Sequence, residues 1–207
     1  SFSPVLKFGL GKSCDIQAVN LKSSEAGMSF VVLDNRAESS TQNQEFELNL
    51  FGTYNVLNAL GVIVLARYNG IADKTIQAAF DSFQSVRRRQ ELRGEVNGIS
   101  VYDDFAHHPT AIRETVTAIR QKHPGRRLIT VFEPRSNTSV LKIHQDALID
   151  SFKKADEVIL TTPHRLERTP VEQRLEVLEV LKSLIKNKIP AYEFPQVEGI
   201  IEHLKSN

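Results

Sequence analysis

The stretch Val101-Tyr102-Asp103-Asp104-Phe105-Ala106-His107-His108-Pro109 gathers more reactive side chains than any other part of this 207-residue chain. Adjacent carboxylates at the end of an apolar strand can hold a divalent cation, bind ribose hydroxyls or act as a base. They can equally form a solvated turn that caps a helix. Pro109 suits the first position of a helix, which places His108 near the N-cap. His107 then points into a crevice or onto a strand edge, and beside two aspartates it reads as a ligand contact. A helix start also offers unpaired N–H groups that favour anions. Three related patterns are excluded. Ala106 stands where an Asp-His-His phosphoesterase needs its acid, no third aspartate ends a later strand as a phospho-acceptor domain requires, and zinc-ligand spacing is absent.

A second cluster, Glu133-Pro134-Arg135-Ser136-Asn137-Thr138, follows the next strand. Its guanidinium, hydroxyls and amide suit a substrate carrying carboxylates and amides; the plainer reading is a proline turn with a capping Ser or Asn. Asn55 and Asn58, three apart, share one helix face. An Asn amide can read the donor–acceptor edge of adenine, or can simply cap. Of Arg87-Arg88-Arg89, two belong to a solvated face, and a third is able to turn toward a phosphate or ribose. Gly9-Leu10-Gly11-Lys12-Ser13 is a turn and no phosphate loop, because Leu6 stands where the first glycine is needed.

These residues need a scaffold, and hydrophobic periodicity supplies one. Strands are expected at 5–10, 15–19, 29–33 and 45–50, with an exposed loop over 36–44. Gly52 opens a helix running to about Arg67, with Val56, Leu57, Leu60, Ile63 and Val64 inward. A second helix covers 71–83, with Ile76, Ala79, Phe80 and Phe83 inward. From Glu91 the pattern changes. A hairpin turns at Asn97-Gly98. Helices at 109–122, 142–153, 171–186 and 197–204 then alternate with strands at 127–132, 157–161 and 189–194. Ile112, Val116 and Ile119 face inward on the first of these helices, and Leu175, Leu178, Leu181 and Leu184 or Ile185 on the third. Such alternation argues a parallel, three-layer α/β domain with its ligand loops at the carboxyl ends of the strands. The two chemical loops should therefore lie side by side on one sheet edge. The domain boundary falls near Arg89–Gln90.

Composition narrows the function classes. A hydrophobic fraction of 41% supports a real core, and a net charge of +1 with no basic block argues against nucleic-acid binding. The lone Cys14 excludes an internal disulfide and fits a reducing compartment. No apolar run is long enough to span a membrane, and no signal-peptide pattern opens the chain. A chain that starts at Ser1 and has Met28 as its only methionine is expected to be a piece of a longer protein.

In this order the pieces resemble the Mur ligases, the ATP-dependent amide-forming enzymes of bacterial peptidoglycan metabolism. The family pattern Gly-x-His-Asn-x-x-Asn-Ala appears as Gly52-Thr53-Tyr54-Asn55-Val56-Leu57-Asn58-Ala59, the linker arginine as Arg89, and Asp-Asp-Tyr-Ala-His-x-Pro as Asp103 to Pro109. Tyr54 replaces a histidine, and Phe105 a frequent tyrosine. Residues 87–95 and 133–138 look like the recycling branch, whose members join UDP-N-acetylmuramate to a murein tripeptide. The resemblance implies residues 1–89 as the latter part of a central ATP-binding domain and 90–207 as a Rossmann-like C-terminal domain, expected to be truncated at its end. It implies ATP and Mg2+ as cofactors, with no metal ligand in this stretch, and a bacterial cytoplasmic location. Asn55, Asn58, Arg89 and Asp103 would contact nucleotide. His107, Arg135, Ser136, Asn137 and Thr138 would bind the peptide, and His107, His108 and Asp104 would serve catalysis. The phosphate loop, the carbamylated lysine and the UDP-sugar domain would lie upstream, so this stretch alone is expected to be inactive. The alternatives are the alanine-adding ligase and a non-catalytic binding domain of the same fold.

Overall fold

A computed structural model describes residues 5–36, 43–163 and 169–206. It divides into two compact units, 1–91 and 92–207.

In the first unit four strands form one sheet in the order β1 (Phe8–Gly9), β2 (Ile16–Ser23), β3 (Met28–Asp34) and β4 (Gln44–Leu48). β1 runs parallel to β2, and the other neighbours are antiparallel. The alternation Met28, Phe30, Val32 turns one face of β3 inward, where it meets Phe46 and the buried Val56, Leu60 and Ile63 of α1 (Thr53–Tyr68). Gly52, at φ 93°, adopts a backbone that other residues resist, which lets the chain swing from β4 into α1. α2 (Asp73–Ser82) adds Ile76.

Several expectations for this unit need correction. The first strand shortens to two residues; before it the Lys7 N–H donates to the Asp15 carboxylate, while the Lys7 carbonyl still accepts from Ile16 N–H. Leu57 is exposed, since the inward positions of α1 are 56, 59, 60 and 63. Ala79 and Phe83 are also exposed; α2 ends at Ser82, before Phe83. The loop expected at 36–44 lies mostly outside the described residues.

The second unit begins with a hairpin of β5 (Glu91–Val96) and β6 (Ile99–Asp103). Its turn residues Asn97 and Gly98 have φ of 51° and 76°, the twist that two-residue hairpin turns require. α3 (Pro109–Lys122) buries Ile112, Val116 and Ile119, at the spacing that was expected. The parallel sheet has the order β7 (Ile129–Phe132), β8 (Glu157–Thr161), β9 (Ala191–Phe194). β8 is central and buried along almost its whole length, as a strand covered on both faces must be. α4 (Gln145–Ser151), α5 (Val177–Lys186) and α6 (Val197–Lys205) complete the unit. Phe132, Phe152, Val158, Leu160, Val180 and Leu184 are at its core.

Here too the boundaries move. The helix expected from Lys142 begins as a 3-10 turn, Lys142–His144. The one expected from Val171 begins as a 3-10 turn, Val171–Gln173, breaks where Arg174 pairs with Leu141 and Leu175 N–H bonds the Val140 carbonyl, and becomes α-helical only at Val177. The inward set becomes Val177, Val180, Leu181 and Leu184, so Leu178 and Ile185 are exposed. β6 pairs with β5 rather than joining the parallel sheet. A two-residue turn makes that local pairing cheap, and Arg126 fixes the hairpin tip by donating to the Gly98 carbonyl and to Ser100.

Candidate functional site

Asp103 ends β6 and Asp104 follows, both half-buried. Asp104 Oδ1 accepts from Ala106 N–H at 2.8 Å, so this carboxylate shapes the turn that presents the histidines. Strand alternation sends Tyr102 and Asp103 to opposite faces. The Tyr102 hydroxyl meets His123 Nε2 at 2.9 Å, and Lys122 Nζ lies 5.0 Å from the centre of its ring. Burial pushes the His123 imidazole below its ordinary value; the nearby Arg126 and Lys122 charges act the same way, against a weaker pull from Glu95. His123 closes α3 at its C-terminus, so the strand bearing Asp103 is tied to the far end of the helix that the histidines open.

His108 is the N-cap of α3, with Thr110 N–H donating to its Nδ1 at 3.3 Å. His107 Nδ1 sits 3.0 Å from the Phe105 carbonyl. That carbonyl only accepts, so this bond needs the His107 proton on Nδ1, the tautomer that leaves a lone pair at Nε2. A backbone N–H only donates, so His108 must be unprotonated at Nδ1 and carries its proton on Nε2. Adjacent imidazoles thus offer opposite functions, an acceptor on His107 and a donor on His108. Both residues are exposed, while Pro109 behind them is buried.

The second loop leaves the carboxyl end of β7. Arg135 is exposed and lies 4.0 Å from Glu133, too loosely held to be neutralised. Ser136 and the buried Ser139 are knotted together. Ser136 N–H donates to Ser139 Oγ at 2.9 Å, and Ser139 N–H donates to Ser136 Oγ at 3.0 Å. Thr138 Oγ1 is 3.2 Å from Ser136 Oγ, and Asn137 is exposed at the tip. This is a closed serine turn with no helix to cap, and it holds Arg135, Asn137 and Thr138 outward.

The first loop meets the second only past its end, at Ser139; none of Glu133 to Thr138 lines the crevice that His107 enters. His107 and Pro109 share one shallow crevice with Ser139, Leu141, His144 and Leu148. His144, at the end of the 3-10 turn, sets its ring edge-on to His108, with centroids 5.2 Å apart. Sequence reasoning missed His144 and Ser139. Neither has a motif of its own, and only the folding of 133–148 against the start of α3 brings them in.

Of the residues read as nucleotide contacts, Asn55, Asn58 and Arg89 lie in the first unit, and Asp103 lies in the second, at the end of β6. Asn55 and Asn58 share a face at the start of α1; Asn58 is exposed, and Asn55 Nδ2 donates to the Phe51 carbonyl at 2.8 Å. Half of the Asn55 amide therefore holds the helix start. Arg89 is exposed, and its carbonyl accepts from Ser85 Oγ. Gln90 Nε2 donates to the Tyr54 hydroxyl at 2.5 Å. Among the described residues no three His, Cys, Asp or Glu side chains converge as metal ligands. No described helix is long and apolar enough to cross a membrane.

Residues 88–206 match the family model of the Mur ligase glutamate ligase domain. The chain belongs to the Mur ligase family. A UDP-N-acetylmuramate–L-alanyl-γ-D-glutamyl-meso-2,6-diaminoheptandioate ligase of Escherichia coli is 50% identical over 58% of this chain and 26% of its own length. A UDP-N-acetylmuramate–L-alanine ligase of Acidithiobacillus ferrooxidans is 37% identical over 77% of this chain and 34% of its own. The crystal structure of a murein peptide ligase from Psychrobacter arcticus is 35% identical and superimposes with a TM-score of 0.61, covering 96% of this chain and 40% of that one. The chain thus spans roughly a quarter to two-fifths of these Mur ligases. The mixed α/β architecture with a Rossmann-like second unit is that of the family.

Proposed function

We propose that this chain is the latter part of an ATP-dependent amide ligase of peptidoglycan recycling that joins UDP-N-acetylmuramate to L-Ala-γ-D-Glu-meso-diaminopimelate. On this reading 1–89 belong to the central ATP-binding domain and 90–207 to the C-terminal domain of a bacterial cytoplasmic enzyme. The observation that supports it is the 50% identity of the matched stretch to a ligase of that specificity, with His107, Ser139 and His144 lining one crevice within it.

The reaction is the one the family resemblance implies. Mg-ATP, when bound, would supply its γ-phosphoryl group to the muramyl carboxylate, giving an acyl phosphate and ADP. The tripeptide amine then attacks the acyl carbon, loses a proton, and phosphate leaves. His107 Nε2, an acceptor in the neutral ring, takes the amine proton; His108 Nε2–H donates to a developing oxyanion. Asp104 fixes the turn that aims both. Exposed Arg135 takes a peptide carboxylate, with Ser136, Asn137 and Thr138 supplying the polar rim. Asn55, Asn58, Arg89 and Asp103 hold adenine and ribose. Most of the catalytic gain is positional, since the chemistry needs only alignment and charge neutralisation.

The parent enzyme supplied with ATP, UDP-N-acetylmuramate and either L-alanine or the tripeptide tests this. Ligation of tripeptide is expected. Ligation of alanine alone establishes the second reading, the alanine-adding ligase, which the 37% identity over 77% of the chain favours. Upstream sequence lacking a Gly-Lys-Thr phosphate loop would instead indicate a non-catalytic binding domain. The purified 207-residue chain is expected to turn over no ATP.

A further inference from the structure

Tyr54 stands where the family pattern has histidine, and the structure gives it a partner 36 residues away: its hydroxyl accepts from Gln90 Nε2 at 2.5 Å, in a half-buried setting. Tyr54 immediately precedes Asn55, and Gln90 immediately follows Arg89. One hydrogen bond therefore joins the chain neighbours of two residues read as nucleotide contacts. The segment between is unusual. Arg88 and Gln90 have φ of 58° and 47°, left-handed backbone that non-glycine residues adopt only at a cost. Local bonds hold it there: Arg88 N–H donates to Glu91 Oε2 at 2.8 Å, and the Arg89 carbonyl accepts from Ser85 Oγ at 3.2 Å. A strained turn kept in place by side-chain bonds reverts when a bond is lost.

We propose that the Tyr54–Gln90 hydrogen bond is a latch that holds the 87–90 turn against the start of α1, making Tyr54 and Gln90 positioning residues for the Arg89 side chain. The inference rests on the reading of Arg89 as a nucleotide contact. Without the latch the turn relaxes toward ordinary backbone, and the Arg89 side chain is no longer held in one direction. Nucleotide binding weakens, while groups that act on the acyl phosphate are untouched.

The test uses the parent enzyme with Tyr54→Phe, Gln90→Leu, the double variant and Arg89→Ala. Tyr54→Phe is expected to raise the KM for ATP about fivefold, the scale of one hydrogen bond, with kcat within about twofold. Gln90→Leu should do the same, and the double variant should be no worse than either single one. A second readout needs no turnover. Arg87, Arg88 and Arg89 are exposed trypsin sites, so cleavage there should speed up severalfold in Tyr54→Phe while the midpoint of global unfolding stays unchanged. Unchanged cleavage and KM in Tyr54→Phe, or effects of the two single variants that simply add, would overturn the latch. An unchanged ATP KM in Arg89→Ala overturns the nucleotide reading beneath it; a raised KM in Arg89→Ala alone leaves that reading standing and removes the latch.

Discussion

The two ends of the β7–β8–β9 sheet are built on opposite principles. At the amino end, charges are sunk into the fold. Glu157 is 3% exposed, yet bonds Arg127 at 2.5 Å and His203 at 2.7 Å, and His203 is packed by Tyr192 and Phe194. Next to it Asp156 accepts from Leu128 N–H and from Arg120, whose guanidinium also reaches the Arg126 and Lys154 carbonyls. Apart from Arg120–Arg126, these bonds span 28 to 46 residues, and they tie α3, α6 and the strand starts together. In the two candidate loops at the other end most polar groups are exposed or half-buried, and their bonds to backbone span only two or three residues, from Asp104 to Ala106, Phe105 to His107, and Ser136 to Ser139. One end uses charge to fix the fold. The other uses short local bonds to shape loops and leaves guanidinium and imidazole atoms facing outward, which is what a substrate needs.

The sharpest way to break this contrast is Glu157→Ala. It strands a half-exposed arginine and a nearly buried histidine, and should cost about 3 kcal/mol in denaturant unfolding. A cost below about 1 kcal/mol would show that the amino end is not the structural one. At the other end His107→Ala and Arg135→Ala in the parent enzyme should each lower kcat/KM for tripeptide at least about tenfold, or roughly 1.4 kcal/mol of transition-state binding. Their unfolding free energies should move by no more than about 0.5 kcal/mol. Equal losses of stability and activity would erase the distinction.

Smaller effects come from pH. The folded pKa of His123 lies below the ordinary 6.5, so the unfolded chain takes up a proton first. Stability is then complete above pH 6.5 and declines as pH falls through 6.5 toward the folded value. His123→Gln should flatten unfolding free energy between about pH 7.5 and 5, and a wild-type protein already flat over that range contradicts the assignment. Smallest is the acid limb. Burial pushes the Asp156 carboxyl up, but the Leu128 N–H and Arg120 outweigh it and the net pKa is lowered. Its contribution is present above the ordinary 3.8 and lost as pH falls through the folded value, so Asp156→Asn should remove part of the stability lost at strongly acid pH.

What was legible in the sequence was local. α3 shows its proline start, its capping histidine and its inward set at 112, 116 and 119, because N-cap chemistry and a 3.6-residue period act within one or two turns. The Asn97-Gly98 hairpin was legible for the same reason. The helix expected from Val171 was misjudged because a long-range bond from Leu175 to Val140 overrides local propensity.

The candidate site divides along that line. Its first loop, from Asp103 to Pro109, and the cluster from Glu133 to Thr138 were written in the chain as residue types at fixed spacing. Composition and motif order also carried the family. The tertiary structure alone decided that Ser139 and His144 join His107 at one crevice, that Tyr54 meets Gln90, and that β6 sits in a hairpin outside the parallel sheet. It also decided which ring nitrogens of His107 and His108 bond to backbone, since that depends on the partner across the bond. Residue type and spacing act over a few bonds of chain, whereas these meetings are set by which surfaces the whole core brings into contact.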